Sequence, residues 1–196
     1  DEVVVVMPVD AYVKDEFFHH VKTLENVVQK SNADLSLIGI NPTFPSEKYG
    51  YIVPDEIQKD ITYNEFRPVR SFKEKPTLEI AKQLVNDGGL WNSGVFAFKL
   101  DFILKQLKER GLSLKYAELL KFYERLPKNS FDYEVVEKAE SIVVVPYSGE
   151  WKDLGTWNTL TEEMEKPLIG KGSMSPDCSN VHIINELDIP VSVLGL

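Results

Sequence analysis

Residues 3–40 read VVVVMPVDAYVKDEFFHHVKTLENVVQKSNADLSLIGI, and this stretch contains the pattern that predicts the fold. The run at residues 3–7 (VVVVM) is typical of a parallel strand that is buried on both faces. Residues 14–30 repeat apolar side chains at helical spacing, and residues 35–40 (LSLIGI) read as a second strand. Because a strand, a helix and a strand follow one another this closely, they predict a right-handed βαβ crossover in a parallel sheet.

The rest of the chain continues this alternation up to residue 164. We therefore predict an α/β domain over residues 1–165 and a β-rich appendage, or the start of a second β-rich domain, over residues 166–196. Further strands are predicted at residues 49–53, 61–72, 91–100, 142–147, 181–184 and 191–194. Further helices are predicted at residues 76–86, 102–109, 114–126 and 133–139.

The composition limits the kinds of partner that the protein is expected to have. With 196 residues, the chain is long enough for one sizeable α/β core. Its formal net charge of -9 disfavours a nucleic-acid surface, because clustered Lys and Arg hold phosphate backbones. A small phosphorylated substrate remains compatible with this charge, since Mg²⁺ bound by carboxylates supplies the positive charge locally.

The cysteine content and the apolar runs indicate a cytoplasmic protein. Cys178 is the only cysteine, so an intrachain disulfide is excluded, and we interpret this residue as an inert thiol. The apolar run at residues 3–9 is far shorter than the roughly 20 residues of a membrane-spanning helix. We also find no basic segment of the kind that opens a signal peptide, and we predict no membrane partner.

Two aspartates are candidate metal ligands. Asp10 lies just past the first strand, where open parallel sheets place their ligand sites, although it would also suit the cap of the following helix. Asp153 lies in GEWKDLGTW, at a turn between a strand and a helix, where a turn or cap role is the alternative. Together, the two carboxylates would suit one hydrated Mg²⁺ between substrate phosphates.

Four other residues are candidates for binding a phosphorylated sugar. Within FKEKP, Glu74 can accept hydrogen bonds from sugar hydroxyls and Lys75 can hold a phosphate, although a solvated surface charge run has the same pattern. Within WNSGVF, Asn92 offers an amide that suits a neutral polyol, although the segment also fits a plain turn into a strand. Gly50, between two tyrosines, has a similar ambiguity, since glycine also permits a simple bend.

Taken in order, these motifs resemble those of the sugar-1-phosphate nucleotidyltransferases, and most closely those of the mannose-1-phosphate guanylyltransferases. Each motif is short, but six in sequence make an accidental match improbable, and they lie within residues 1–164. The six are PVD at residues 8–10, YGYI at 49–52, FKEKP at 72–76, WNSG at 91–94, FDYEVVEK at 131–138 and WKDLGTW at 151–157.

The resemblance implies a fold, a cofactor and a set of residue roles. The fold is a Rossmann-like mixed sheet flanked by helices, of the nucleotide-diphospho-sugar transferase type. The cofactor is Mg²⁺, held by Asp10 and Asp153, and Lys75 acts together with these two aspartates in catalysis. Contacts to the sugar phosphate are implied at Glu74, Lys75, Asn92 and, through its backbone, Gly50.

The reaction that the resemblance implies joins GTP to a sugar phosphate. A phosphate oxygen of mannose-1-phosphate attacks the α-phosphorus of GTP in line, pyrophosphate leaves and GDP-mannose forms, with Mg²⁺ bridging the phosphates and Lys75 steadying the attacking group. The alternatives are a non-catalytic module that binds a sugar phosphate or a nucleotide sugar, and a transferase for another sugar or base. Assembly into a homo-oligomer is left open.

Two departures from the family pattern affect these expectations. The family begins with a strand and a glycine-rich loop that wraps the triphosphate, and we expect this part to be missing before Asp1, where the chain already reads as a buried strand. The chain by itself is therefore expected to have little or no activity. In addition, Ala11 stands where the family often has a histidine, which removes one polar contact but keeps the metal ligand Asp10.

Overall fold

The computed structural model describes residues 2–55 and 65–195 of the chain. Residues 61–64 of the extended segment predicted at 61–72 lie outside these described residues. The chain divides into two compact units. The first unit comprises Asp1–Val9 and Val13–Trp151, and the second comprises Asp10–Tyr12 and Lys152–Leu196.

Strands and helices alternate along most of the described chain, as the sequence predicts. None of the helices that the structure describes is long and apolar enough to cross a membrane. The strands are β1 (Val3–Val6), β2 (Ala11–Val13), β3 (Leu35–Ile40), β4 (Tyr51–Pro54), β5 (Arg67–Lys73), β6 (Leu90–Lys99), β7 (Ile142–Tyr147), β8 (Trp151–Asp153), β9 (Leu168–Gly170), β10 (Gly172–Met174), β11 (Ile183–Asn185) and β12 (Val191–Val193). The helices are α1 (Asp15–Ser31), α2 (Leu78–Asn86), α3 (Leu100–Glu109), α4 (Tyr116–Phe122), α5 (Phe131–Glu134) and α6 (Trp157–Glu162), with 3-10 turns at Tyr123–Arg125 and Val136–Lys138.

A six-stranded sheet in the order β1-β6-β3-β7-β5-β4 forms the centre of the first unit. Strand β3 runs parallel to β7, whereas β6 runs antiparallel to both β1 and β3. Strand β5 is likewise antiparallel to β4 and to β7. The predicted α/β fold with a mixed sheet flanked by helices is therefore confirmed.

Strand β3 divides the core of the first unit into two clusters. All six of its residues are buried, and successive side chains of a strand point to opposite faces. Ile38 and Ile40 pack into the cluster that α1 and α2 cover, whereas Leu35 and Leu37 pack into the cluster that contains residues of α3 and α5. Both faces of the sheet centre are thus covered by helices.

The prediction that the first strand is buried on both faces in a parallel sheet was wrong. Strand β1 pairs antiparallel with β6, which is its only neighbour in the described sheet. Val5 and Val6 are 38% and 45% exposed. Since β6 is inserted between β1 and β3, helix α1 does connect two strands of the same direction, but these strands are not adjacent.

The segment 131–138 consists of α5 and the 3-10 turn that follows it, and it covers one face of the sheet. The ring of Phe131 packs against the rings of Phe96 and Phe98, with centroids 5.2 and 5.7 Å away, and Val136 is fully buried. Glu134 fixes the outer side of this segment. Its carboxylate receives hydrogen bonds from Arg110 at 2.8 Å and from Lys138 at 2.9 Å.

The second unit contains short parallel strand pairs. Strand β9 pairs with β11 and β10 pairs with β12, each in parallel. The amide of Asn185 donates to the backbone oxygens of Lys171 and Ile189 at 2.6 and 2.9 Å, which joins the two pairs. Gly170 has φ of 89°, and a side chain there would collide with the backbone oxygen of Asn185. The described residues after α6 form these strands without a further helix.

We predict that Glu134→Gln destabilises the protein in a pH-dependent manner. Hydrogen bonds, first from Asn129 and then from Lys138, lower the pKa of Glu134 from 4.5 to about 2. Because the pKa is depressed in the folded state, the carboxylate stabilises the fold above pH 4.5, and this stabilisation is lost as the pH falls towards 2. The urea midpoint of Glu134→Gln should be below that of the unaltered protein at pH 7, and the gap should narrow below pH 4.5.

Glu124→Gln is the control for this experiment, since Glu124 is an exposed glutamate on a neighbouring 3-10 turn. We expect it to leave the urea midpoint unchanged across the same pH range. Equal midpoints for Glu134→Gln and the unaltered protein at pH 7 would contradict the anchoring role of Glu134.

Candidate functional site

Glu74 is a buried carboxylate with one unpaired oxygen. It follows the last residue of β5 and is only 8% exposed. Its Oε2 has no hydrogen-bond partner among the described residues. Burial raises the pKa of Glu74 above its usual value, and the nearby carboxylate of Asp132 raises it further. Since a buried polar group without a partner is costly, this oxygen is suited to accept a hydrogen bond from a ligand.

Lys75, the next residue, is exposed to solvent. Its side chain is 61% exposed, and its Nζ lies 3.7 Å from Oε1 of Glu74. Its φ of 43° lies in the left-handed region, which costs a non-glycine residue about 1 kcal/mol or more. This turn sends the carboxylate of Glu74 inward and the ammonium of Lys75 outward. The pair therefore differs from a run of solvated surface charges, because one of its two charges is buried.

Gly50 and Asn92 lie beside Glu74. The backbone oxygen of Gly50 accepts a hydrogen bond from the backbone N–H of Asn92 at 2.8 Å. A side chain at position 50 would collide with Oε2 of Glu74, and its Cβ would lie 3.3 Å from Cβ of Asn92. The structure thus brings together Gly50, Glu74, Lys75 and Asn92, the four residues that the sequence predicts for substrate binding.

The segment 131–138 contributes two carboxylates for which the sequence predicts no role. Oδ1 of Asp132 accepts a hydrogen bond from Nδ2 of Asn92 at 2.7 Å. Oε1 of Glu137 accepts one from the backbone N–H of Glu74 at 3.1 Å. In the sequence, FDYEVVEK stood out only as part of a resemblance. The three acidic residues in this short amphipathic segment were a signal of a polar site, but the sequence does not indicate which residues they contact.

Aromatic residues next to Gly50 and Asn92 in sequence form a cluster. The ring of Trp91 contacts those of Tyr49 and Phe44, with centroids 4.8 and 5.0 Å away. The ring of Tyr49 also lies 5.7 Å from that of Trp151. This packing holds the backbone of Gly50 and Asn92 in place, because the preceding residues, Tyr49 and Trp91, are both in the cluster.

The two predicted metal ligands belong to the second unit. Asp10 immediately precedes β2 and Asp153 ends β8, and these two strands pair with each other. Helix α1 is preceded by Lys14 as its cap residue, so Asp10 does not cap it. Oδ1 of Asp153 accepts the N–H of Gly155 at 2.8 Å, so this aspartate does have the turn role given as its alternative. One turn contact leaves the rest of the carboxylate able to bind a cation.

Larger metal clusters are not formed by the described residues. No group of three or more His, Cys, Asp or Glu side chains in this part of the chain is arranged to hold a metal ion. A pair of carboxylates is nevertheless the usual protein contribution to Mg²⁺, which keeps water and takes substrate phosphates as its other ligands. Two carboxylates such as those of Asp10 and Asp153 would therefore fit hydrated Mg²⁺ better than Zn²⁺, which prefers nitrogen and sulfur ligands.

Comparison with known proteins identifies the family of this chain. Residues 1–168 match the family model for nucleotidyl transferases. A mannose-1-phosphate guanylyltransferase of Salmonella montevideo is 32% identical, over 96% of this chain and 45% of the relative. The alginate biosynthesis protein AlgA of Pseudomonas putida is also 32% identical, over 100% of this chain and 44% of the relative. The chain thus spans less than half of the length of these relatives.

Solved structures give the same result at the level of the fold. A crystal structure from Thermus thermophilus, described as a mannose-1-phosphate geranyltransferase, superposes with a TM-score of 0.75 at 27% identity. The superposition covers 99% of this chain and 60% of the Thermus chain. The fold is accordingly that of the nucleotide-diphospho-sugar transferases. Together with the match over residues 1–168, this shows that the chain belongs to the nucleotidyl transferase family.

Proposed function

We propose that this chain binds the sugar phosphate in a transferase that makes GDP-mannose and pyrophosphate from mannose-1-phosphate and GTP. One observation carries the proposal, namely the buried and unpaired Oε2 of Glu74, in a carboxylate whose other oxygen, Oε1, lies 3.7 Å from the exposed ammonium of Lys75. A hydroxyl of the sugar would donate to this oxygen, and the phosphate would meet the ammonium. A sugar phosphate contains both groups within one small molecule.

The names of the relatives support the choice of sugar and base. The Salmonella relative is named for mannose-1-phosphate and for guanylyl transfer, and the Thermus structure is also named for mannose-1-phosphate. The residues around Glu74 agree with a neutral hexose, since Gly50 lets the carboxylate lie close against the backbone and Asn92 offers an amide rather than a charge.

The proposed reaction is a direct nucleotidyl transfer. An oxygen of the sugar phosphate forms a bond to the α-phosphorus of GTP, the bond from that phosphorus to the bridging oxygen of the β-phosphate breaks, and the electron pair leaves with pyrophosphate. Lys75 holds the attacking phosphate and reduces its negative charge while it approaches a second anion. Glu74 and Asn92 orient the sugar, and we assign them no proton transfer.

Asp10 and Asp153 would hold the Mg²⁺ that this chemistry needs. When bound, Mg²⁺ neutralises charge on the phosphates and orients them. The orientation of Asp153 would favour this role, because the hydrogen bond from the N–H of Gly155 fixes one of its carboxylate oxygens. A side chain at position 155 would crowd the same oxygen, since its Cβ would lie 2.8 Å away.

Binding calorimetry with mannose-1-phosphate tests the sugar-phosphate assignment, and we predict that Lys75→Met weakens binding about tenfold or more. The loss of about 1.4 kcal/mol corresponds to one charge-assisted contact to phosphate. The melting temperature should fall only slightly, since the Lys75 side chain is mostly exposed and its ion pair with Glu74 is therefore weak. Lys73→Met is the matched control, because it removes the same charge from an exposed neighbour and should have little effect. Equal losses for the two variants would argue against a specific phosphate contact at Lys75.

We predict that Glu74→Gln gains stability and loses binding. Because the pKa of Glu74 is raised in the fold, its ionised form destabilises the folded protein, and this penalty appears as the pH rises above the ordinary value of 4.5. Glu74→Gln should therefore have the higher urea midpoint at pH 7, and the two midpoints should converge at low pH. Its affinity for mannose-1-phosphate should fall. A less stable variant with unchanged affinity would show that Glu74 is a structural residue.

We predict that Asp153→Asn removes the magnesium-dependent part of nucleotide-sugar binding. The measurement is the rise in melting temperature that GDP-mannose causes with Mg²⁺ and with EDTA. The asparagine keeps an acceptor for Gly155, so the protein without ligand should melt as before. Asp87→Asn, an exposed aspartate after α2, is the control and should retain the full magnesium effect. A magnesium effect that persists in Asp153→Asn would exclude Asp153 as a ligand.

A further inference from the structure

Asn92 is held in one orientation by two contacts of opposite kind. Its Oδ1 accepts the backbone N–H of Gly94 at 3.0 Å, and its Nδ2 donates to Asp132 at 2.7 Å. A backbone N–H can only donate and a carboxylate can only accept, so a flipped amide would lose both contacts. One N–H and one lone pair of the amide remain available in fixed directions.

Glu74 is held through its backbone. Its N–H donates to Oε1 of Glu137 at 3.1 Å, immediately before Lys75 enters the left-handed region with φ of 43°. A lysine in that conformation needs the surrounding structure to determine it. The hydrogen bond from Glu74 to Glu137 supplies such a constraint at the preceding residue.

Both carboxylates belong to the segment 131–138, which is held in place by contacts on its inner and outer sides. Phe131 packs on the sheet and Val136 is fully buried, while Glu134 pairs with Arg110 and Lys138 on the outer side. The segment is therefore a rigid element on which Asp132 and Glu137 are displayed towards Asn92 and Glu74.

A contribution to the stability of the fold does not explain why Asp132 and Glu137 lie next to Glu74. The negative charges of Asp132 and Glu137 both raise the pKa of the buried Glu74, which means that they disfavour its ionised form. Placing two further carboxylates around a buried one is unfavourable for folding at neutral pH. The hydrogen bonds that they accept are the compensating interactions.

We propose that Asp132 and Glu137 are positioning residues for the sugar phosphate, Asp132 by fixing the amide of Asn92 and Glu137 by fixing the backbone of Glu74 and Lys75. This inference rests on the proposed function and extends it to residues that need not touch the substrate. Asp132 acts on the sugar contacts, and Glu137 acts on the placement of the ammonium that holds the phosphate.

The test for Asp132 is a double-mutant cycle with Asn92, measured by calorimetry with mannose-1-phosphate. Asp132→Ala should weaken binding about tenfold, whereas the melting temperature should stay equal or rise because a repulsive charge is removed. In the Asn92→Ala background, Asp132→Ala should have little further effect, since the group through which it acts is gone. Asp132→Asn keeps an acceptor and should retain most of the affinity. Additive losses, or unaltered affinity in Asp132→Ala, would overturn the role of Asp132.

The test for Glu137 follows the same logic with Lys75. Glu137→Ala should weaken binding of mannose-1-phosphate several-fold, and this loss should largely disappear in the Lys75→Met background. Glu137→Gln keeps an acceptor for the N–H of Glu74 and should restore binding. Glu140→Ala, which removes an exposed charge just after the segment, is the matched control and should bind as the unaltered chain does. A loss for Glu137→Ala that is equally large in the Lys75→Met background would overturn the role of Glu137.

A ligand-free measurement separates failure of this inference from failure of the proposed function. In NMR spectra, the side-chain NH₂ resonances of Asn92 should shift in Asp132→Ala and stay nearly unchanged in Asp132→Asn. If the resonances shift but the unaltered chain does not bind mannose-1-phosphate, the proposed function fails and the positioning role fails with it. If the unaltered chain binds and the resonances do not move, only the positioning role of Asp132 is wrong.

Discussion

The backbone of β3 is hydrogen-bonded on both sides, to β6 and to β7, while all six of its side-chain positions are buried. Such a strand tolerates neither a charge nor a gap on either face, so two layers of helices have to cover the sheet. Gly39 shows how tight this packing is, because a Cβ there would lie 2.7 Å from side-chain atoms of both Leu90 and Val144. Strand β6, which contains Asn92, and strands β4 and β5, which lie next to Gly50 and Glu74, belong to this sheet, and their placement depends on it.

The sequence predicted the central strands well because their apolar runs are continuous and sharply bounded. The structure has β3 and β7 at the predicted residues, and α1 is displaced by one residue from the predicted helix. The same type of run misled at β1, since composition reports how apolar a strand is and does not report how many neighbours it has. The three-residue strands β2 and β8 were missed because so short a stretch carries no periodicity.

The candidate site was predictable only in part. Glu74, Lys75, Gly50 and Asn92 stood out because each lies in a short motif with unusual polarity or a glycine, and the structure brings them together. Asp132 and Glu137 were not predicted, because a carboxylate on an amphipathic segment has the same local sequence pattern whether it faces solvent or bonds to a residue of the sheet. Their partners are 40 and 63 residues away in the chain, beyond the range of local sequence patterns.

The parallel pairing of β3 with β7 also has a consequence for how the chain folds. Asp34 and Ser141, at the starts of these strands, are bonded to each other across a separation of 107 residues. Closing so long a loop costs conformational entropy before the contact returns any energy, and folds dominated by such pairings form slowly. On the ribosome, β3 emerges long before β7, so the edge of β3 that pairs with β7 stays unpaired until residues 142–147 have been made. The strand at the centre of the finished core therefore has an unpaired edge and apolar side chains during synthesis, and such features favour misassociation.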